Sequence, residues 1–137
     1  KETFACLDVC FSNDSIFITE SGGYLRAIEL KNGVELWRYT PIAGYHFINL
    51  GYNIDQNILF GILWHYERGG ETLLYAFDAS TGKEIDNMIM YDQHVHEYDA
   101  FGKILITSDG YNGYIYGLDK DLKNMKVKKL VFSIKKD

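Results

Sequence analysis

The sequence predicts an all-β chain, and three observations carry that prediction. Helical periodicity is almost absent; short alternating or apolar runs rich in Ile, Leu, Phe and Tyr recur; and clusters of Gly, Asn, Asp and Ser separate them. With 137 residues, Pro41 as the only proline, and no Gly/Ser-rich or charge-block linker, one domain covering residues 1–137 is expected. The 47% hydrophobic and 24% charged content is that of a soluble globular domain. No apolar run approaches the ~18 residues of a membrane helix.

Phe4 to Phe11 reads as the first strand. Cys6 and Cys10 fall on one face of it, four positions and about 13 Å apart. That exceeds the roughly 7 Å Cα limit for a disulfide, so free packing thiols are expected, and these suit the cytoplasm. No basic segment followed by an apolar one opens the chain, so no secretion signal is expected. Residues 15–37, "SIFITESGGYLRAIELKNGVELW", then read as strand, Gly-Gly turn, strand ending Ala27-Ile28-Glu29, Asn-Gly turn, and a strand carrying Trp37.

The same order returns twice. Tyr45 to Tyr52 is a strand candidate, followed by residues 57–85 with Ala76-Phe77-Asp78 and Thr81-Gly82-Lys83 in the places of Ala27-Ile28-Glu29 and Lys31-Asn32-Gly33. His96 to Phe101 is another candidate, followed by residues 103–127 with Gly117-Leu118-Asp119 in the matching place. The spacing is about 40 to 50 residues, within the range of architectures built from four-stranded units. Three four-stranded antiparallel meanders are therefore expected, over residues 4–40, 45–90 and 96–134. The basic end "KVKKLVFSIKK" reads as a strand with lysines on its wet face, which discourages edge pairing.

The pattern Gly-x-x-x-Ala-Phe/Ile-Asp/Glu-x-x-x-Gly-x-x-x-Trp resembles the blades of pyrroloquinoline-quinone dehydrogenase-like propellers. Residues 23–37 match it well, residues 72–86 match with Asp86 in place of the tryptophan, and residues 113–127 match loosely. The resemblance implies an incomplete or open β-propeller-like arrangement, because three units cannot close a ring around a central channel. It implies a fold and no chemistry, since the motif is structural. Open edges would also leave a route to homo-oligomers.

In a four-stranded blade the hairpins between second and third strands emerge at the same end as the crossings between blades. That end receives "YTPIAGYH", "HYERGGE", "YDQHVHEYD" and "DGYNGY", which hold all four histidines and most of the tyrosines. The opposite end receives ordinary turn sequences, among them "SNDS", "STGK" and "DKDLKN". Tyrosine offers large contact area at low entropic cost and carboxylates select a basic partner. The candidate partner-binding residues are Tyr45, His46, Tyr66, Glu67, Glu71, Tyr91, Asp92, His94, His96, Glu97, Tyr98, Asp99, Asp109 and Tyr111. Tyr66, Tyr91 and Tyr98 also read as caps on blade edges.

Other chemistries are weaker. On an even extended backbone His94 and His96 share a side, with Asp92, Glu97 or Asp99 as oxygen ligands for a metal, but solvent-facing histidines are the simpler reading and no metal is expected. "SGG", "RGG" and "DGYNG" precede strands and are hairpin turns rather than phosphate loops. No nucleophile motif stands out, so no cofactor or catalytic residue is expected. Trp37 and Trp64 read as packing between sheets. A net charge of −5 and a pI near 5.3 argue against nucleic acid and fit a basic protein partner. The expected function is a non-enzymatic protein-binding module, in its most specific form an immunity protein that occludes a basic toxin domain such as a nuclease. The alternative is a fragment of a larger quinoprotein-like propeller, an enzyme or a membrane-assembly scaffold.

Overall fold

The computed structural model describes the backbone of residues 6–20, 23–65, 71–91, 94–98, 103–108 and 112–131, and side chains within 8–20, 23–65, 72–90, 103–107 and 113–126. Among the described residues, twelve strands make three four-stranded antiparallel sheets, each a meander in chain order. The first sheet holds β1 (Cys6–Phe11), β2 (Ser15–Glu20), β3 (Leu25–Glu29) and β4 (Glu35–Tyr39). The second holds β5 (Tyr45–Asn53), β6 (Ile58–His65), β7 (Glu71–Asp78) and β8 (Glu84–Tyr91). The third holds β9 (His94–Tyr98), β10 (Ile104–Ser108), β11 (Asn112–Gly117) and β12 (Lys126–Val131). A 3-10 turn, Leu122–Asn124, precedes β12. No helix among the described residues is long and apolar enough to cross a membrane.

Side-chain alternation sets how the sheets stack. In β2, "SIFITE" alternates buried and half-buried positions, as a strand with one covered face must. In β6, "ILFGILWH" is buried almost throughout, because the second sheet is covered on both faces. One core joins Phe17, Leu25 and Ala27 of the first sheet to Leu59, Leu63, Leu73, Tyr75 and Phe77 of the second. The other joins Ile58, Phe60, Ile62, Leu74 and Ala76 of the second to Leu105, Tyr116, Leu118 and Leu122 of the third. The inner strands β1, β5 and β9 lie side by side in that order.

Strand registers match between sheets. Ala27 pairs with Trp37, Ala76 with Asp86, and Gly117 with Lys126, so these three outer-strand residues hold one register position. Bulges also recur at matching places: Leu7, Ile48 and His96 are the extra residues of the inner strands, and Leu36 and Ile85 those of β4 and β8. A bulged edge twists away from a straight neighbour, which blunts these strands against further pairing.

Polar links join neighbouring sheets at those registers. Trp37 donates its Nε1 proton to the Ala79 carbonyl in the β7–β8 turn at 2.9 Å. At the same position of β8, Asp86 accepts the Leu122 amide at 3.1 Å from the β11–β12 connection. Along the inner strands, Asp8 Oδ2 accepts the amide of Leu50 at 2.7 Å. Asn49 holds the position of Asp8 in β5, and its Oδ1 is buried with no hydrogen-bond partner among the described residues.

Two outcomes follow. A methyl group on Gly82 would lie 2.4 Å from Cε3 of Trp37, at φ +73°, whereas one on Gly33, at φ +71°, would meet no atom within 4 Å. Gly33→Ala is expected to cost about 1 kcal/mol for its left-handed backbone and Gly82→Ala about 3 kcal/mol, read from urea midpoints. At the interface of the first two sheets, burial pushes the Cys10 thiol from 9.0 up to about 12, and burial first of all raises Tyr39, Tyr52 and Tyr75 as well. The unfolded chain gives up these protons at about 9 to 10 while the folded chain holds them. Stability is therefore flat from pH 7 to 8.5 and falls as pH rises through 10.5, and Tyr39→Phe flattens the fall.

Candidate functional site

The described crossing between sheets, residues 40–44, enters β5 through a tight turn in which Tyr45 donates its amide to the Ile42 carbonyl at 3.1 Å. Gly44 sits at φ +91°, and a methyl group there would lie 2.5 Å from Nε2 of His65. Only glycine therefore lets the crossing close over that ring. His65 is buried, with the Tyr45 ring edge-on at 4.8 Å and 88°. One residue along, and so on the other face of the sheet, His46 meets Trp64 edge-on at 5.5 Å and 83°.

The first sheet contributes to the same end. Pro41 lies against Gly23 in the β2–β3 hairpin. Next to it Tyr24 carries the Arg38 guanidinium 4.9 Å from its ring centroid. Arg38 also bonds the Glu35 carboxylate at 2.8 Å, which with Arg26 holds that carboxyl below its usual range. Arg26 reaches on to Glu20, so an acid–base ladder crosses β2, β3 and β4. Tyr24, Tyr45, His46 and Trp64 are all half-buried, each leaving part of its ring to solvent. Rings fixed by edge contacts and half open to water suit adhesion to another surface more than proton transfer.

The sequence-predicted residues are distributed as follows. Tyr45 and His46 open β5 and are half-buried rather than carried on a loop, because each pairs across the ladder with His65 or Trp64. Glu71 opens β7, paired with Tyr91 at the end of β8. His94, His96, Glu97 and Tyr98 belong to β9, not to a crossing loop, and that strand begins at His94, two residues before the expected His96, while Phe101 lies outside the described residues. Its pairing jumps from Val95–Thr107 to Glu97–Ile106, so His96 is a bulge residue and the even alternation assumed for His94 and His96 is interrupted. The side chains of Glu71, Tyr91, His94, His96, Glu97 and Tyr98 fall outside the described residues. So do Tyr66, Glu67, Asp92, Asp99, Asp109 and Tyr111 altogether. Among the described residues no three His, Cys, Asp or Glu side chains converge as a metal site.

Tyr24, Trp64 and His65 join this end without having been singled out as contacts. Their signal was position: Trp64 and His65 are the last residues before the "YERGG" hairpin, and Tyr24 the first after "SGG". The opposite end also holds more than turns. There a groove of about 720 Å³ opens between the first two sheets, lined among others by Ser12, Asp14, Glu29, Lys31, Tyr52 and Asn57. Asn57, at φ 54°, accepts the Tyr52 hydroxyl at 2.7 Å and donates to Ser80 at 2.7 Å.

No protein-family model and no curated protein matches the chain. Among solved structures, a protein of unknown function from Bacteroides caccae is similar over 96% of this chain, with TM-score 0.55 and 10% identity. This chain spans 62% of that one's length, and the likeness is one of fold alone. The structure of U3-55K aligns with 93% of this chain and 52% of its own, at TM-score 0.43 and 8% identity.

Proposed function

We propose that the chain is an open β-propeller-type repeat protein that acts by binding another protein through the end holding Tyr24, Tyr45, His46 and Trp64. The observation that carries this reading is the set of half-buried rings at one end, Tyr45, His46 and Trp64 in edge-on contacts and Tyr24 under the Arg38 guanidinium. Rigid aromatic rings contribute contact area without a large ordering cost, the property of interface hot spots. The partner is basic, because the chain carries a net charge of −5 and the hairpin and crossing segments contribute Glu67, Asp92, Asp99 and Asp109 in sequence, with Glu71 and Glu97 on the strands beside them. In its most specific form this is an immunity protein covering the active site of a basic toxin domain. A second reading, a part of a larger quinoprotein-like propeller, is favoured by the apolar outer faces of the first and third sheets.

The test is capture of a partner from the native host by the tagged chain, followed by measured affinity. The account expects a basic protein, binding that weakens as salt rises, and a loss of about 2 kcal/mol, roughly 30-fold, for Trp64→Ala at unchanged sheet content. Absence of any partner, or a partner indifferent to both salt and Trp64, contradicts it.

A further inference from the structure

Matching registers let each position of the first and third sheets be compared with its counterpart in the second. On the face that the second sheet turns to the first, Leu50 and Tyr52 are covered by that sheet. Their counterparts on the first sheet are Val9 and Phe11, 42% and 60% exposed. On the face turned to the third sheet, Phe60 and Ile62 are fully buried, and their counterparts on the third sheet are Ile104 and Ile106, each 41% exposed. Side chains that the interior positions keep dry are thus left wet at both ends of the stack, and the two wet faces are of opposite kind. One is a face that receives a preceding sheet; the other is a face that receives a following one.

The linking positions show the same pairing. Gly82 lies under Trp37 of the sheet before it, while its counterpart Gly33 meets open space. The position of Trp37 and Asp86 is held in the third sheet by Lys126, which is exposed. The turn it would meet, around Gly33, is closed by the Gly33 amide donating to the carbonyl of Glu29 at the end of β3. Asp8 accepts from Leu50 of the next sheet, and the position of Asp8 is held in β9 by Glu97. Val9, the counterpart of Leu50, gives its amide to its own neighbour Asp8 at 2.9 Å. The outer strand of the third sheet is rich in lysine (Lys126, Lys128, Lys129), and the first sheet offers Glu29, its Glu20 and Glu35 being paired already with Arg26 and Arg38.

We propose that a second copy of this chain occupies both outer faces: the third sheet of each copy packs on the first sheet of the other, closing a two-fold ring of six sheets. This rests on the open-propeller reading above but not on the nature of the binding partner. Both junctions would continue the interface that already joins the sheets within the chain, and six blades lie within the range that closes around a channel. Bulges on the inner strands and on the outer strands of the first two sheets turn those edges away, which favours contact through faces rather than edges.

The test is light scattering coupled to size exclusion on the full chain at about 100 µM, with circular dichroism to confirm the fold. The expected mass is twice the 15.8 kDa of one chain. Val9→Glu with Phe11→Glu, or Ile104→Glu with Ile106→Glu, each weakens association at least about 100-fold and leaves a folded monomer. Mixing the two variants restores a dimer, since each brings one intact face and the faces are unlike. A folded wild-type monomer overturns the ring while leaving the open arc standing. Dimers that survive in either variant, or variants that do not pair when mixed, overturn it as well.

Discussion

The arrangement depends on one register position in the outer strands of the first two sheets. Trp37 uses it to lay an indole over Gly82 and to donate to the Ala79 carbonyl. Asp86 uses the same place to accept from Leu122. The chemistry differs, one an aromatic donor and the other a carboxylate acceptor, but the target is alike: the connection between the last two strands of the following sheet. A buried polar group on such a connection is costly if unmet, so the link both satisfies it and fixes how far one sheet rotates over the next. The apolar cores then fill the space that this geometry leaves.

Stacking in that manner places like connections together. Because every sheet is a meander and the inner strands run side by side, the described hairpin and crossing of the first two sheets emerge at one end and their turns at the other. At the crossing end Gly44 permits close backbone approach over the His65 ring, which Tyr45 meets edge-on, and Pro41 lies in ordinary contact with the hairpin at Gly23. The turn end collects short polar side chains, which satisfy turn amides and line a groove between sheets. The contrast between an aromatic end and a polar end is a consequence of connectivity, not of any one residue.

Much of this was legible in the sequence, and the reasons are specific. The continuous apolar run of "ILFGILWH" marks a strand with little solvent contact, whereas the one covered face of "SIFITE", with Ile16, Phe17 and Ile18 in a row, shows only in its burial. The alignment of Ala27 with Ala76, and of Trp37 with Asp86, coincides with the observed registers because the Asn-Gly and Thr-Gly turns have equal length. The start of β9 was misplaced because "HVHEY" offers only Val95 and Tyr98 as hydrophobic residues, and an edge strand needs no apolar pattern. Bulges at Ile48 and His96 were not legible, since a bulge is a relation between two strands and neither carries a distinctive residue. The half-burial of Tyr45 and His46 was missed for a related reason: their partners, His65 and Trp64, are nearly twenty residues away along the chain and next to them only across the ladder.

Amide hydrogen exchange of Trp37→Ala measures the central claim most directly, because a sheet that touches only its neighbour should loosen alone when its link is cut. The account predicts exchange at least about tenfold faster through β1 to β4, with β7 and β10 unchanged. Equal acceleration in all three sheets, or none in the first, would contradict it.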